Sequence, residues 1–252
     1  MTAPIIAHLS DLHFGAHDPA AVQSLAGDVI AARPDLVIVT GDLTMRARER
    51  QFAQARAFLD RLPGPRLVIP GNHDLAATPG RLLDPHRRYR AHLGADLEPR
   101  LEVPGLRALG LASTPCWRWK NGRVSRAQRT GVAEYLGAAG AGAGRVLALH
   151  HPPYGGRPGR LLGLRSLMNT LETARVDLVL AGHTHLPADA VIVLPSGRRL
   201  LQVVAGSATS TRLRGTPRSW TAITVGPGEF RVEVRVERDG AWHRGRVATH
   251  PR

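Results

Sequence analysis

The chain has one cysteine, Cys116, and one lysine, Lys120, in 252 residues. A single thiol excludes an internal disulfide framework and a thiolate-built metal site, and it fits a reducing cytoplasm, where the chain is expected to reside. Long apolar runs are absent too. No stretch reaches the length of a membrane-spanning helix, and Met1 leads almost directly into Ile5-Ile6-Ala7-His8-Leu9 with no basic-then-apolar leader. Acidic side chains are few, 20 against 34 basic, which leaves a formal net charge of +14. Such a charge attracts phosphates, nucleic acid or anionic lipid. Aromatics make only 4% of the chain, so the arginines lack the interleaved rings of a base-stacking surface. The charge therefore reads as an arginine bias spread over solvated faces, with nucleic acid disfavoured as a partner. No feature of the sequence demands an oligomer.

Apolar residues make 43% of the chain, enough for one large domain, read as spanning residues 1–252. Residues 5–9 read as a first strand. Residues 18–33 read as a helix with Asp18 as N-cap and Pro19 at its first position. A second buried strand (36–39), a second helix (47–62) stopped by Pro63-Gly64-Pro65, and a third strand (66–69) follow. Strand, helix, strand, helix, strand is the pattern of a parallel sheet covered by helices. Residues 75–105 are less regular, with a short helix over 85–93. Then come a strand (106–112), a loop (113–125) containing Cys116, Trp117 and Trp119, and a helix (126–138). The Ala/Gly run 138–144 reads as a flexible connector. Strands over 145–149 and 176–180 are separated by a glycine- and arginine-rich loop (155–165) and a helix. The tail alternates Val and Ile with polar residues over 188–194, 199–205, 220–225 and 229–237, as antiparallel strands do.

Each buried strand of the parallel series ends in polar residues, and open α/β sheets bind ligands beyond the carboxyl ends of their strands. The tips are Asp11 with His13, Asp42, Asn72 with His73 and Asp74, His150 with His151, and His183 with His185. A lone Asp or His at a loop start is usually a helix cap or a satisfied surface group, so no single tip carries the argument. The five together do, because chance rarely places such groups at nearly every strand terminus. Asp11-x-His13 and His183-x-His185 are expected to aim both members one way, as alternate residues do on extended backbone. Imidazole with carboxylate suits zinc, iron, manganese or nickel better than magnesium or calcium. With His150 taken from its pair, one ligand per residue gives Asp11, His13, Asp42, Asn72, His150, His183 and His185. That is too many for one open catalytic ion and right for two ions sharing a carboxylate. His8, His17, His86, His92, His243 and His250 read as ordinary structural or surface histidines.

In order and spacing, Asp11-x-His13, Gly41-Asp42, Gly71-Asn72-His73-Asp74, His150 and Gly182-His183-Thr184-His185 resemble the signature of the calcineurin-like metallophosphoesterase superfamily. The resemblance covers residues 4 to 206, with 207–240 as C-terminal strands of the same domain. Gly-Asn-His-Asp with His-His-Pro-Pro and Gly-His-Thr-His is similar to the bacterial class III cyclic-nucleotide and glycerophosphodiester phosphodiesterases. The resemblance implies an α/β fold, a four-layer α/β/β/α sandwich of two mixed β-sheets with a dinuclear site at the strand C-terminal ends. It implies two divalent transition metals (Mn, Fe or Zn). Asp11, His13 and His185 would hold one, Asn72, His150 and His183 the other, and Asp42 would bridge. The choice of His150 over His151 follows the family pattern, and His151 then backs the ligands or faces substrate. The family makes His73 the residue over the leaving group, as proton donor or charge stabiliser, and Asp74 is expected to orient that imidazole. The reaction implied is in-line attack on a small phosphodiester or nucleotide by a metal-bound hydroxide. Arg157, Arg160 and Arg165, in the loop after His150-His151-Pro152-Pro153, are candidates to bind a phosphate, with a solvated loop as the equal alternative. No other arginine is tied to a metal-bearing turn, which favours singly charged diesters over monoester dianions.

Three other readings stand beside this one. The stretch Arg160-Leu161-Leu162-Gly163-Leu164-Arg165 could form an interfacial patch for a pyrophosphatase acting on a nucleotide-linked lipid such as UDP-diacylglucosamine. A nuclease would use the positive charge, but no appended nucleic-acid module is visible. A non-catalytic scaffold of the same fold would be expected to have lost metal positions, and none is lost.

Overall fold

The computed structural model describes residues 3–76, 80–118, 120–155 and 161–252. Among them, twelve strands form two six-stranded sheets. The first sheet holds β1 (Ile5–Leu9), β2 (Leu36–Val39) and β3 (Arg66–Val68), all parallel. It continues on the far side of β1 with β10 (Ser219–Val225), β11 (Glu229–Arg238) and β12 (Ala241–Pro251), each antiparallel to its neighbour. The second sheet is ordered β4 (Arg100–Val103), β5 (Leu106–Leu111), β6 (Gly144–Leu149), β7 (Leu178–Ala181), β9 (Arg199–Val204) and β8 (Ala188–Val193). Its four central strands are parallel, and an antiparallel strand closes either edge.

The central strands are apolar on both faces, and their residues divide by parity between two cores. In β2, Leu36 and Ile38 enter the core between the sheets, whereas Val37 and Val39 meet helices. In β6, Val146 and Ala148 face the other sheet, and Leu147 and Leu149 face the opposite side. A continuous apolar run is what a strand covered on both faces requires. The helices α1 (Pro19–Ala31), α2 (Glu49–Leu59) and α4 (Arg87–Leu93) cover the first sheet, contributing Leu25, Val29, Phe52, Phe58 and Tyr89. The helices α5 (Arg126–Gly137) and α6 (Leu164–Thr173) cover the second, through Val132, Leu136, Leu167 and Leu171. The result is a four-layer α/β/β/α sandwich. A single turn, α3 (Gly80–Leu83), precedes α4. Among the described residues no helix is long and apolar enough to cross a membrane.

Asp18 caps α1 by accepting from the amides of Ala20 and Ala21, as its position before Pro19 predicts. Three features differ from expectation. The stretch 75–105 contains the edge strand β4, whose exposed residues conceal its pairing with β5. β9 pairs antiparallel with β8 but parallel with β7, so the tail is not wholly antiparallel. The C-terminal strands run past 240: β12 follows a turn at Asp239-Gly240, where both residues have positive φ, 52° and 80°. An Asp-Gly pair of that kind is a strong hairpin signal in sequence. β12 escapes notice because its side chains are almost all exposed or half-exposed, which blurs the alternation.

Candidate metal centre

The C-terminal ends of β1, β2, β3, β6 and β7 meet at one end of the sandwich. The strands do not simply run out there. Asp11, His13, Asp42, His183 and His185 all have positive φ, between 50° and 70°. Non-glycine residues seldom adopt this left-handed conformation, and such strain gathers at functional sites. The pairs Asp11/His13 and His183/His185 therefore converge through left-handed twists, and not through the extended alternation expected from their spacing.

The twisted tips are tied to one another. Asp11 N donates to Gly41 O at 3.1 Å and His13 N to Asp42 O at 2.9 Å. Across the sheets, His183 N donates to Asp11 Oδ2 at 3.0 Å, and His150 Nδ1 donates to Thr40 O at 2.7 Å. Two glycines make this approach possible. A Cβ on Gly71 would lie 2.2 Å from Asp42 Oδ1, and one on Gly182 would lie 1.8 Å from Ser10 Oγ.

The atoms that could ligate an ion form two triangles. In the first, His13 Nε2, His185 Nε2 and Asp11 Oδ1 stand 3.4, 3.3 and 3.6 Å apart. In the second, Asn72 Oδ1, His150 Nε2 and His183 Nδ1 stand 3.2, 3.3 and 3.0 Å apart. With bonds of ~2.1 Å, ligands on one transition ion sit about 3.0 Å apart at right angles and about 3.4 Å apart at tetrahedral angles. Five of the six edges lie in this range, and the sixth, at 3.6 Å, is slightly longer. Asp42 Oδ2 lies between them, 3.7 Å from His13 Nε2 and 3.4 Å from His150 Nε2.

Two further observations fit the residues to cations. Asp11 Oδ1 is buried without a hydrogen-bond partner. The opposite ring nitrogens of two ligands are already engaged, His150 by the Thr40 carbonyl and His185 by Ser207 Oγ at 2.5 Å, which aims their lone-pair nitrogens inward.

Burial pushes the Asp11 carboxyl up, but His185, His13 and His150 around it hold it well below the usual carboxylate range. Asp42 follows the same pattern, with burial overcome by His150 and His13. Both are thus ionised, the form a cation requires. Burial opposes charge on His150, yet Asp42 and Asp11 push it up to about 9.

His73 stands beside the triangles, half-buried, its ring edge-on to His13 at 4.9 Å between centroids. The Met45 carbonyl takes its Nδ1 at 2.9 Å. Asp74 does not touch that ring. The 3-10 turn Asn72–Asp74 folds its carboxylate back onto the amides of Gly71, Leu43 and Thr44 and the Thr44 hydroxyl, so it ties two strand tips together. Burial first, and Asp42 second, push Asp74 up to about 6. His151 is buried behind the ligands, its Nδ1 on Ser113 Oγ at 2.9 Å and its ring 4.6 Å from that of His183.

Arg165 lies exposed in the first turn of α6. Arg157, Arg160 and Trp119 lie outside the described residues. Two arginines that sequence reasoning passed over flank the site instead. Arg214 is near enough to His185 to help, after burial and His13, to hold its pKa down. Arg212 reaches the Met45 sulfur at 3.6 Å, next to the carbonyl that holds His73. Both are exposed in the polar loop after β9, where no local pattern announces the approach to β1 and β2. A cavity of about 240 Å³ opens beside the His183–His185 turn, lined by Tyr154, Thr184, Leu186, Gln202 and Val204.

Residues 5–187 match the family model described as calcineurin-like phosphoesterase. The chain is 28% identical over 247 residues to a Synechococcus protein named probable cyclic nucleotide phosphodiesterase, with 91% of each chain covered. It is 30% identical over 216 residues to a cAMP/cGMP dual specificity phosphodiesterase of Mycobacterium tuberculosis, covering 75% of this chain and 64% of that one. Among solved structures, a purple acid phosphatase from yellow lupin seeds superposes with a TM-score of 0.74 at 12% identity, over 98% of this chain and 53% of that one, a likeness of fold.

Proposed function

We propose that this chain, which belongs to the calcineurin-like phosphoesterase family, is a phosphodiesterase that cleaves small diesters, cyclic nucleotides foremost, with a pair of divalent transition ions. The observation that carries the reading is the geometry of the two ligand triangles, whose edges of 3.0 to 3.6 Å suit one ion each and which meet at Asp42 Oδ2. Asp11, His13 and His185 would hold one ion, Asn72, His150 and His183 the other, and Asp42 would serve both. Two such ions, of manganese, iron or zinc, would supply Lewis acidity to the phosphoryl oxygens and lower the pKa of a water to roughly 7.

The chain's own groups do the rest. A carbonyl only accepts, so His73 Nδ1 carries a proton toward Met45 O, and Nε2 is the atom left for substrate. Protonated there, the ring donates to the departing oxygen; neutral, it accepts. Its backbone amide donates to Asp42 Oδ1 at 2.8 Å, which couples its position to that of the shared carboxylate. Arg212 and Arg214 meet the negative charge of the incoming phosphate. The cavity beside Thr184 and Leu186 takes the organic part of the diester. Arg214 beside His185 removes the argument that only a singly charged phosphate could be held here. The preference for diesters rests on the relatives and on the room for a second substituent.

The comparison to make is kcat/KM on bis(nitrophenyl) phosphate, nitrophenyl phosphate and cyclic AMP, with manganese, at one pH. The diesters should be turned over faster. A faster monoester would replace this reading with a phosphatase. Two bound ions with neither nitrophenyl ester nor cyclic AMP cleaved would favour a nucleotide-linked lipid pyrophosphate as substrate.

A further inference from the structure

At the opposite end of the sandwich, below the N-terminal ends of β6, β7 and β9, lies a cavity of about 690 Å³. Arg145, Arg175, Arg198, Arg199 and Arg252 line it, with Asp177 as their one carboxylate. Arg145 begins five residues before His150 on the same strand, about 16 Å at the rise of extended chain, so the cavity and the metal centre are separate places.

Structural duties explain some of these arginines. Arg145 donates to the carbonyls of Leu136 and Ala139 at the end of α5, and Arg198 to those of Leu171 and Val176 at the end of α6. Cations near helix C-termini are favourable. Arg252 donates to the carbonyls of Gly226 and Gly142. Asp177 is shared: it accepts from the Arg145 amide at 2.9 Å and faces Arg198 at 3.8 Å and Arg252 at 3.5 Å.

Arg175 and Arg199 have no such duty. Both are exposed, and among the described residues neither side chain pairs with a carboxylate or a backbone carbonyl. Arg175 holds a φ of +53° in the turn between α6 and β7, a conformation that costs a long side chain something and places one more charge at the rim. The positive field is only partly compensated locally. Burial first, and then Arg175 and Arg145, lower the pKa of Arg198 against the pull of Asp177 and Glu172. The Arg198 Nε is buried without an acceptor. The Ala/Gly run also lines the cavity, through Ala141 and Gly142, which add little side-chain bulk to it.

We propose that this cavity is a binding site for a small anion with two or more charges on phosphate oxygens, clamped by Arg175 and Arg199 against the fixed guanidiniums of Arg145 and Arg198. Guanidinium forks match phosphate oxygens two by two, and a cluster of them selects a multiply charged anion over a single carboxylate. A concave cavity of this size suits a diphosphate or a nucleotide better than the surface of a duplex or a membrane.

The test is a calorimetric titration of the metal-loaded chain with inorganic pyrophosphate at low and high salt. In Asp42→Ala, any contribution of the metal centre is removed and a salt-sensitive binding event should persist. Adding Arg175→Gln and Arg199→Gln to Asp42→Ala should weaken it about tenfold per guanidinium. Arg175→Lys with Arg199→Lys, in the same background, should restore much of the affinity and shows that the glutamine variant failed through charge and not through folding. No binding in Asp42→Ala, or affinity unmoved by the glutamine pair, overturns the proposal. So does an oligonucleotide or an anionic lipid vesicle that needs Arg175 and Arg199 while pyrophosphate does not.

Discussion

The two ends of the sandwich share the strands β6 and β7 and differ in the charge they present. At one end β1, β2, β3, β6 and β7 finish in carboxylates, imidazoles and an amide. At the other, β6, β7 and β9 begin among arginines. The polarity of the fold accounts for part of this. Each helix runs antiparallel to the strand that follows it, so the carbonyl ends of α5 and α6 point to the arginine end and favour cations there. That reasoning covers Arg145 and Arg198, which cap those helices, and stops short of Arg175 and Arg199. At the metal end the backbone itself is strained, with five candidate ligands at positive φ. Strain there and only partly compensated charge at the far end both signal that packing alone did not choose the residues.

The sharpest way to break the comparison is to remove the carboxylate that touches both triangles. Asp42→Ala should lose both ions by elemental analysis and lower turnover below detection, while leaving the arginine end able to take pyrophosphate. Full metal content with an ordinary rate would reject the shared role of Asp42. A smaller effect separates chemistry from metal binding within one end. His73→Ala should keep its ions and lose roughly 10²–10⁴ in kcat, the usual range for a positioned proton donor. Loss of metal from that variant would instead make His73 a ligand.

How far the sequence foretold these ends differs between them. The convergence of the five tips was legible because each buried apolar run stops at polar residues, and a parallel sheet must bring such stops to one edge. The reason for convergence was not: spacing of two suggested extended backbone, and the residues are in left-handed turns. Asp74 looked like a partner for the His73 ring because it is its neighbour, but a 3-10 turn sends it to Thr44 and leaves the ring to a main-chain carbonyl. Carbonyl partners such as those of Met45 and Thr40 carry no side-chain signature. Ser207 and Arg214 reach His185 from the loop that follows β9, the strand paired beside β7. The arginine end was illegible for a related reason. Its members come from five places between 145 and 252, each an unremarked arginine, and a net charge of +14 seemed only to be spread out. A charge sum has no geometry until the chain is folded.

The smallest expected effect comes from beneath the candidate metal centre. His8 sits in β1, fully buried, with its Nε2 3.0 Å from Thr40 Oγ1 and its Nδ1 without a partner. An orphaned lone pair costs less than an orphaned N–H, so the proton belongs on Nε2, donating to the hydroxyl. Thr40 in turn holds His150 through its carbonyl, so His8 underpins the metal end from between the sheets. Burial, only partly offset by Asp11, lowers its pKa to about 3. The sign of the consequence follows. Below the ordinary histidine range the unfolded chain takes up a proton that the folded chain refuses, so His8 costs stability as pH falls from about 6.5 toward about 3. The slope for one such site is at most about 1.4 kcal/mol per pH unit. Other groups titrate over the same range, which is why the difference from a variant is the quantity to read. In His8→Gln, the denaturation free energy should be lower than wild type at pH 7 and should approach it as the pH is lowered to 5. Curves that stay parallel over that window would mean that the folded chain binds the proton on His8 as readily as the unfolded chain does, and that burial does not set its charge.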